Sequence, residues 1–180
     1  MELLNREFPA INIYSLLFYF VLYSFLGWIV EGLYSLVMCG SFSKNGFLIG
    51  PFKPMYGFAM TIIIVLQRYN SSLWFLGIMS IIVPSTVEYI SGFLLDHLLG
   101  LKYWDYADLP LNINGYVCLL FSAFWIILVF AAIYILQPII NNIYMRSIYI
   151  SNSISIILSI YLLVDLVLTL MAKMPKDKFI

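Results

Sequence analysis

The sequence predicts an all-α, polytopic membrane helix bundle of about five spans, the second short and preceded by a bent Gly/Pro segment. Three observations lead there. Of 180 residues, 63% are hydrophobic and only 10% charged, whereas a soluble domain is nearer half apolar with about a quarter charged. Lipid is the solvent that suits such a surface. The apolar residues also fall into long runs, separated by short stretches rich in Gly, Pro, Asn and charge. Finally, the formal net charge is zero and no basic cluster precedes the short C-terminal tail, which argues against a nucleic-acid partner.

Each span is justified by length, since about 20 apolar residues cross the hydrocarbon. The first covers residues 11–38. Glu2 and Glu7 precede it and no basic stretch does, so it reads as a retained span and not a cleaved signal. The second is the short one: "MYGFAMTIIIVLQ", Met55–Gln67, gives roughly 20 Å of helix against about 30 Å of hydrocarbon. It must borrow length from Phe47–Phe52, which makes a span over 47–67. Pro51 and Pro54 forbid a regular helix there, and irregular backbone at membrane depth is tolerated only inside protein or along a wet cavity. Residues 46–54 are therefore expected to bend into the bundle and to bury Gly50–Pro51 against the first or third span; the alternative is a surface loop above a tilted helix. The third span covers 72–95. The fourth covers 115–136 and is expected to stop where Pro138 and the Asn141–Asn142 pair break it. The fifth covers 148–172, and together the spans make 1–180 a single integral membrane domain.

Five spans put the termini on opposite sides. One side carries Lys44, Lys53, Lys102, Lys173, Lys176 and Lys178, the other Arg6, Arg68 and Arg146. The positive-inside bias assigns the Lys-rich side, with the C-terminus, to the cytoplasm and the N-terminus to the outside.

Glu31, Glu88 and Asp165 each lie about seven residues before the end of a span, and the three spans run in one direction. They share a level roughly 10 Å inside the cytoplasmic boundary. An acid inside a membrane is costly and normally faces the bundle interior. Ser24, Gly27, Glu31 and Ser35 share one helix face, as do Ser85, Glu88, Ser91 and Gly92; small and hydroxylated residues are what membrane helix contacts use. Tyr161 and Thr169 flank Asp165 by one turn each way. The three acids are expected to converge as a substrate- or ion-binding site. Three states are open to them: protonated, holding a cation, or paired with Lys53 if the bent segment carries it inward. The alternative is structural, with the acids bonding backbone or Tyr hydroxyls across helices. Cys39 and Cys118 lack metal-ligand spacing and read as apolar packing residues. His97, beside Asp96 at a helix end, reads as a solvated headgroup-level residue. No metal and no cofactor is expected.

The stretch Gly100–Tyr116 opens on the same side as the acids. Asp105 between Trp104 and Tyr106 fits a folded, hydrogen-bonded loop better than a bare aromatic anchor. Glu31 precedes Gly57 by 26 positions and Glu88 precedes Gly115 by 27, a spacing that suggests a parallel duplication of spans one–two and three–four.

The motifs "GWIVEG", "NGFLIGPFKPMYG", "STVEYISGFLLD", "KYWDYADLPLNINGYVCL" and "VDLVLT" resemble, in order and spacing, those of the ABC-transporter type IV (permease-like) family of bacterial membrane proteins. The resemblance covers about Tyr19 to Leu170. By motif it implies roles for Glu31, Glu88, Tyr56, Trp104, Asp105 and Tyr106, and for the loop positions Gly46, Gly50, Pro51, Gly57 and Gly115. Asn45 and Ala107 depart from the family pattern, which has a basic residue and a serine at those places.

The resemblance implies a permease-like subunit of a transporter in the bacterial plasma membrane, with an acidic intramembrane site near the cytoplasmic side. The chain has no G-x-x-x-x-G-K-[ST], so any ATPase is a separate chain docking on the cytoplasmic side. Five spans are few for a solute path, so a homo- or hetero-oligomer is required. The alternatives are a membrane-embedded enzyme acting on a lipid or small amphiphile, with one of the acids as acid or base, and a non-catalytic accessory or scaffold subunit. The enzyme reading is weakened because no nucleophile–base pair is recognisable.

Overall fold

A computed structural model describes residues 11–42 and 46–174. Glu2, Glu7, Arg6, Lys44, Asn45, Lys176 and Lys178, which bear on the readings above, lie outside them. Helix α1 (Ile13–Cys39) starts at Asn12, whose Oδ1 accepts from the Ser15 N–H at 2.9 Å while Ser15 Oγ accepts from the Asn12 N–H at 3.1 Å. This reciprocal cap satisfies two otherwise orphan donors. The helix ends at Gly40, in the left-handed conformation (φ 71°) that glycine adopts without strain. Helix α2 (Pro54–Tyr69) opens on Pro54, where a helix needs no N–H. Helix α3 (Leu73–Leu99) starts under a Ser72 cap and closes at Gly100 (φ 66°).

A small hairpin follows, β1 (Asn112–Ile113) antiparallel to β2 (Val117–Cys118), with Asn112 opposite Cys118 and Ile113 opposite Val117. Helix α4 (Leu119–Ala131) passes through a π turn (Ala132–Leu136) into α5 (Gln137–Arg146), and α6 (Ile148–Lys173) ends the bundle. Among the described residues, four helical runs are long and apolar enough to cross a membrane: Ile13–Cys39, Leu73–Leu99, Leu119–Arg146 and Ile148–Lys173. With the 16-residue α2 they form an all-α, multi-pass membrane bundle.

The expected break at Pro138 does not occur. The Gln137 N–H donates to the Ala132 carbonyl, five residues back, so the turn is already widened where the proline lacks its donor. Pro138 then occupies the first turn of α5, the place where a helix tolerates it. Nor does the fourth span begin at residue 115, because the hairpin occupies 112–118 and the helix starts at Leu119.

The main contacts run α6–α1–α2–α3–α4. Tyr19, Tyr23, Met60, Ile63, Ile64, Leu76, Trp125 and Val129 form the principal core between α1, α2, α3 and α4. The α1–α2 approach is close because both helices offer glycine: a Cβ on Gly57 would sit 2.5 Å from the Phe20 carbonyl oxygen, and one on Gly27 would run into the Tyr56 ring. Tyr19 donates to Asn141 (2.8 Å) and Tyr23 to Gln137 (2.7 Å), pinning α1 to α5. Val37, Ile150 and Ile157 are exposed, as side chains facing lipid should be.

Candidate functional site

The bent segment enters the bundle. Leu48 and Phe52 are buried in a second core with Val21 and Leu162, so the segment wedges between α1 and α6; against the expected seat on the first or third span, it touches the first, while Gly50 itself lies half-buried against Tyr161 and Asp165 of the last. Its backbone is held at three points. Lys173 Nζ donates to the Phe47 carbonyl at 2.8 Å. Asp165 accepts the Ile49 and Gly50 N–H groups at 3.0 and 2.8 Å. The Lys53 N–H donates at 2.8 Å to the Ser24 carbonyl, and Ser24 lies near the middle of the 27-residue α1. The chain thus descends to about half the depth of α1 before α2 begins. Gly50 is needed where Asp165 grips it: a Cβ would lie 2.6 Å from Tyr161 Oη and 2.9 Å from Asp165 Oδ2.

That descent brings Lys53 to Glu31, and the two form an ion pair. The Tyr56 hydroxyl bonds Glu31 and lies near Glu88. Glu88 is 4% exposed. It accepts from Tyr106 Oη at 3.0 Å and from Trp125 Nε1 at 3.3 Å, and it lies close enough to Glu31 to feel its charge.

The loop after α3 is built to deliver Tyr106. Trp104 Nε1 donates to the Tyr116 carbonyl (2.8 Å) and the Tyr106 N–H to the Gly115 carbonyl (2.9 Å). Asp105 accepts from Lys102 (2.8 Å) and from the Ala107 N–H (2.9 Å), and these bonds hold its carboxyl below the usual Asp range. Gly115 (φ 72°) sits against Asp105, with no room for a Cβ. Burial, and then the Glu88 carboxylate beside it, push the Tyr106 phenol well above its usual range, so it remains a hydrogen-bond donor.

These groups line a cavity of 1280 Å³. Glu31, Lys53, Tyr56, Glu88, Trp104, Asp105 and Tyr106 all border it; the rest of the wall is mainly apolar, from α1, α3, α4 and α6. Of the other loop positions, Gly46 lies beside the Lys53 side chain, Pro51 is half-buried, and Pro54 and Gly57 start and seat α2. His97 is exposed and stacked on Phe93.

The three acids do not converge. Glu31 and Glu88 share the cavity, but Asp165 is spent on the bent backbone and on Thr169, which donates to it at 3.1 Å. No cluster of three or more such ligands forms among the described residues. Equal depth on parallel spans left the rotation of each helix open, and α6 turns Asp165 toward residues 49–50 instead of the cavity. Two contributors escaped the sequence reading. Trp125 lay hidden in an apolar run, where only its indole N–H, which seeks a partner when buried, marked it. Lys173 was counted only as charge at a helix end.

No curated protein and no solved structure matches the chain in comparisons with known proteins. A family model does, over residues 18–170, which takes in nearly all of α1 and runs to the last turn of α6. The chain is a multi-pass membrane protein that belongs to the family described as "Putative ABC-transporter type IV".

Proposed function

We propose that the chain is the permease-like, membrane-embedded subunit of a transporter, and that the cavity bordered by Glu31, Lys53, Tyr56, Glu88 and Tyr106 is its substrate site, on the cytoplasmic side of the bacterial plasma membrane. The observation that carries the reading is the cavity itself: a space of 1280 Å³ bordered by Glu31 and Glu88 of the long apolar helices α1 and α3, and ionisable groups within membrane spans normally mark substrate or ion paths. The family supports it. The bent segment supports it too, since discontinuous backbone at mid-depth is how transporters build such sites. A separate ATPase chain supplies the energy from the cytoplasmic side, and further copies or partner subunits complete the path. Asp165 acts by positioning residues 49–50 and through them Lys53.

The test is purification of the tagged full-length chain from native membranes. Recovery of a stoichiometric P-loop ATPase, whose ATP hydrolysis falls at least tenfold with Glu88→Gln or Glu31→Gln while melting temperatures stay within a few degrees, is the expected result. Recovery of the chain without any ATPase, or variants that lose stability but not coupled hydrolysis, would overturn it.

A further inference from the structure

The charges and rings around the cavity bear on what it holds. We propose that it binds a cationic amphiphile, with an ammonium head group at Glu88 and an apolar tail along α4 and α6; this takes the cavity as the substrate site proposed above. Glu31 has a cation of its own in Lys53. Glu88 has two neutral donors, Tyr106 and Trp125, at 3.0 and 3.3 Å. A carboxylate can accept about four hydrogen bonds, so Glu88 keeps acceptor capacity for the N–H donors of a ligand.

The surrounding rings suit a cation. Tyr56 packs on Trp125 with ring centres 4.7 Å apart, and Tyr106 stacks on Phe121 at 4.8 Å. Aromatic faces attract ammonium groups, more strongly where water is excluded. An anionic head would instead meet two carboxylates, with Lys53 already engaged by one of them.

The remaining wall asks for a tail. Drug-sized pockets hold about 300–1,000 Å³, so at 1280 Å³ a head group alone would leave most of this cavity empty. From Ser159 to Leu170, α6 borders it over about 17 Å of helix. No extended contact joins α4 to α6 among the described residues, so an acyl chain has a way in from the bilayer between them.

The test is calorimetric titration of the full-length protein in lipid nanodiscs, with empty discs as the blank. Octylammonium, octyl sulfate and octyl glucoside serve as cationic, anionic and neutral probes of equal tail. The cationic probe should bind at least tenfold more tightly than either of the others, and Glu88→Gln should remove that preference. Should Glu88→Gln fail to fold, Trp125→Phe leaves the carboxyl in place and should weaken the cationic probe threefold or more without improving the anionic one. Equal binding of the three probes, or an unchanged preference in Glu88→Gln, overturns the proposal. The titration needs no ATPase: a cation preference in a chain without an ATPase partner upholds the site and removes the permease reading, whereas ATPase-coupled transport without the preference does the reverse.

Discussion

Glu88 is reached from two directions, by a tyrosine on a loop and by a tryptophan on the neighbouring helix. Both donors are neutral and the acceptor is buried, so losing either leaves an unmet carboxylate oxygen. Tyr106→Phe should therefore cost about 1–3 kcal/mol of stability, read from thermal or denaturant unfolding, and Glu88→Gln combined with it should cost less than the sum, because the two changes share one bond. Additive losses would show that the hydrogen bond carries no energy. At this scale the sequence singled out three acids, of which Glu88 and Asp165 are buried and Glu31 and Glu88 border the cavity. It could not say whom they meet. The bond from Gly50 to Asp165 spans 115 positions, and nothing in the local pattern of either segment encodes the rotation of one helix against another.

The bent segment was legible because a 13-residue apolar run is too short to cross a membrane, and its apolar residues had to lie somewhere. Its seat between α1 and α6 was not, since Leu48 and Phe52 would pack against any apolar face. Likewise the hairpin at 112–118 left only a loop signal, its strands being two residues each, and the π turn hid behind a proline that usually stops a helix. The segment's grip gives a prediction. Asp165→Asn keeps one acceptor but turns an N–H₂ toward a backbone N–H, so one of two charge-assisted bonds is lost and the other weakened. A cost on the order of 3 kcal/mol is expected, together with faster labelling of a cysteine placed at Phe47. Unchanged labelling would mean that Lys173 and the Lys53–Ser24 backbone bond suffice to hold the segment.

Across the whole molecule the helices alternate in direction, with Ser85 beside Ser122 and Tyr19 beside Asn141 as the chain doubles back. This puts Lys102 and Lys173 at one end of the bundle and Arg68 and Arg146 at the other. If α2 also crosses and the Lys-rich end is cytoplasmic, as the positive-inside bias proposes, single cysteines at Lys102 and Met174 should label from the cytoplasmic face only and those at Tyr69 and Arg146 from the opposite face only; labelling of 102 and 174 from different faces would overturn five crossings. The half-depth start of α2 has an electrical consequence. A helix that begins inside the membrane leaves its first amides, and the positive pole of its dipole, in a medium that screens poorly. That pole lies at Lys53–Tyr56, next to Glu31 and near Glu88. It offsets part of the negative charge that the two glutamates bring to the cavity, so a cation of the kind proposed above would be held less tightly than by the carboxylates alone.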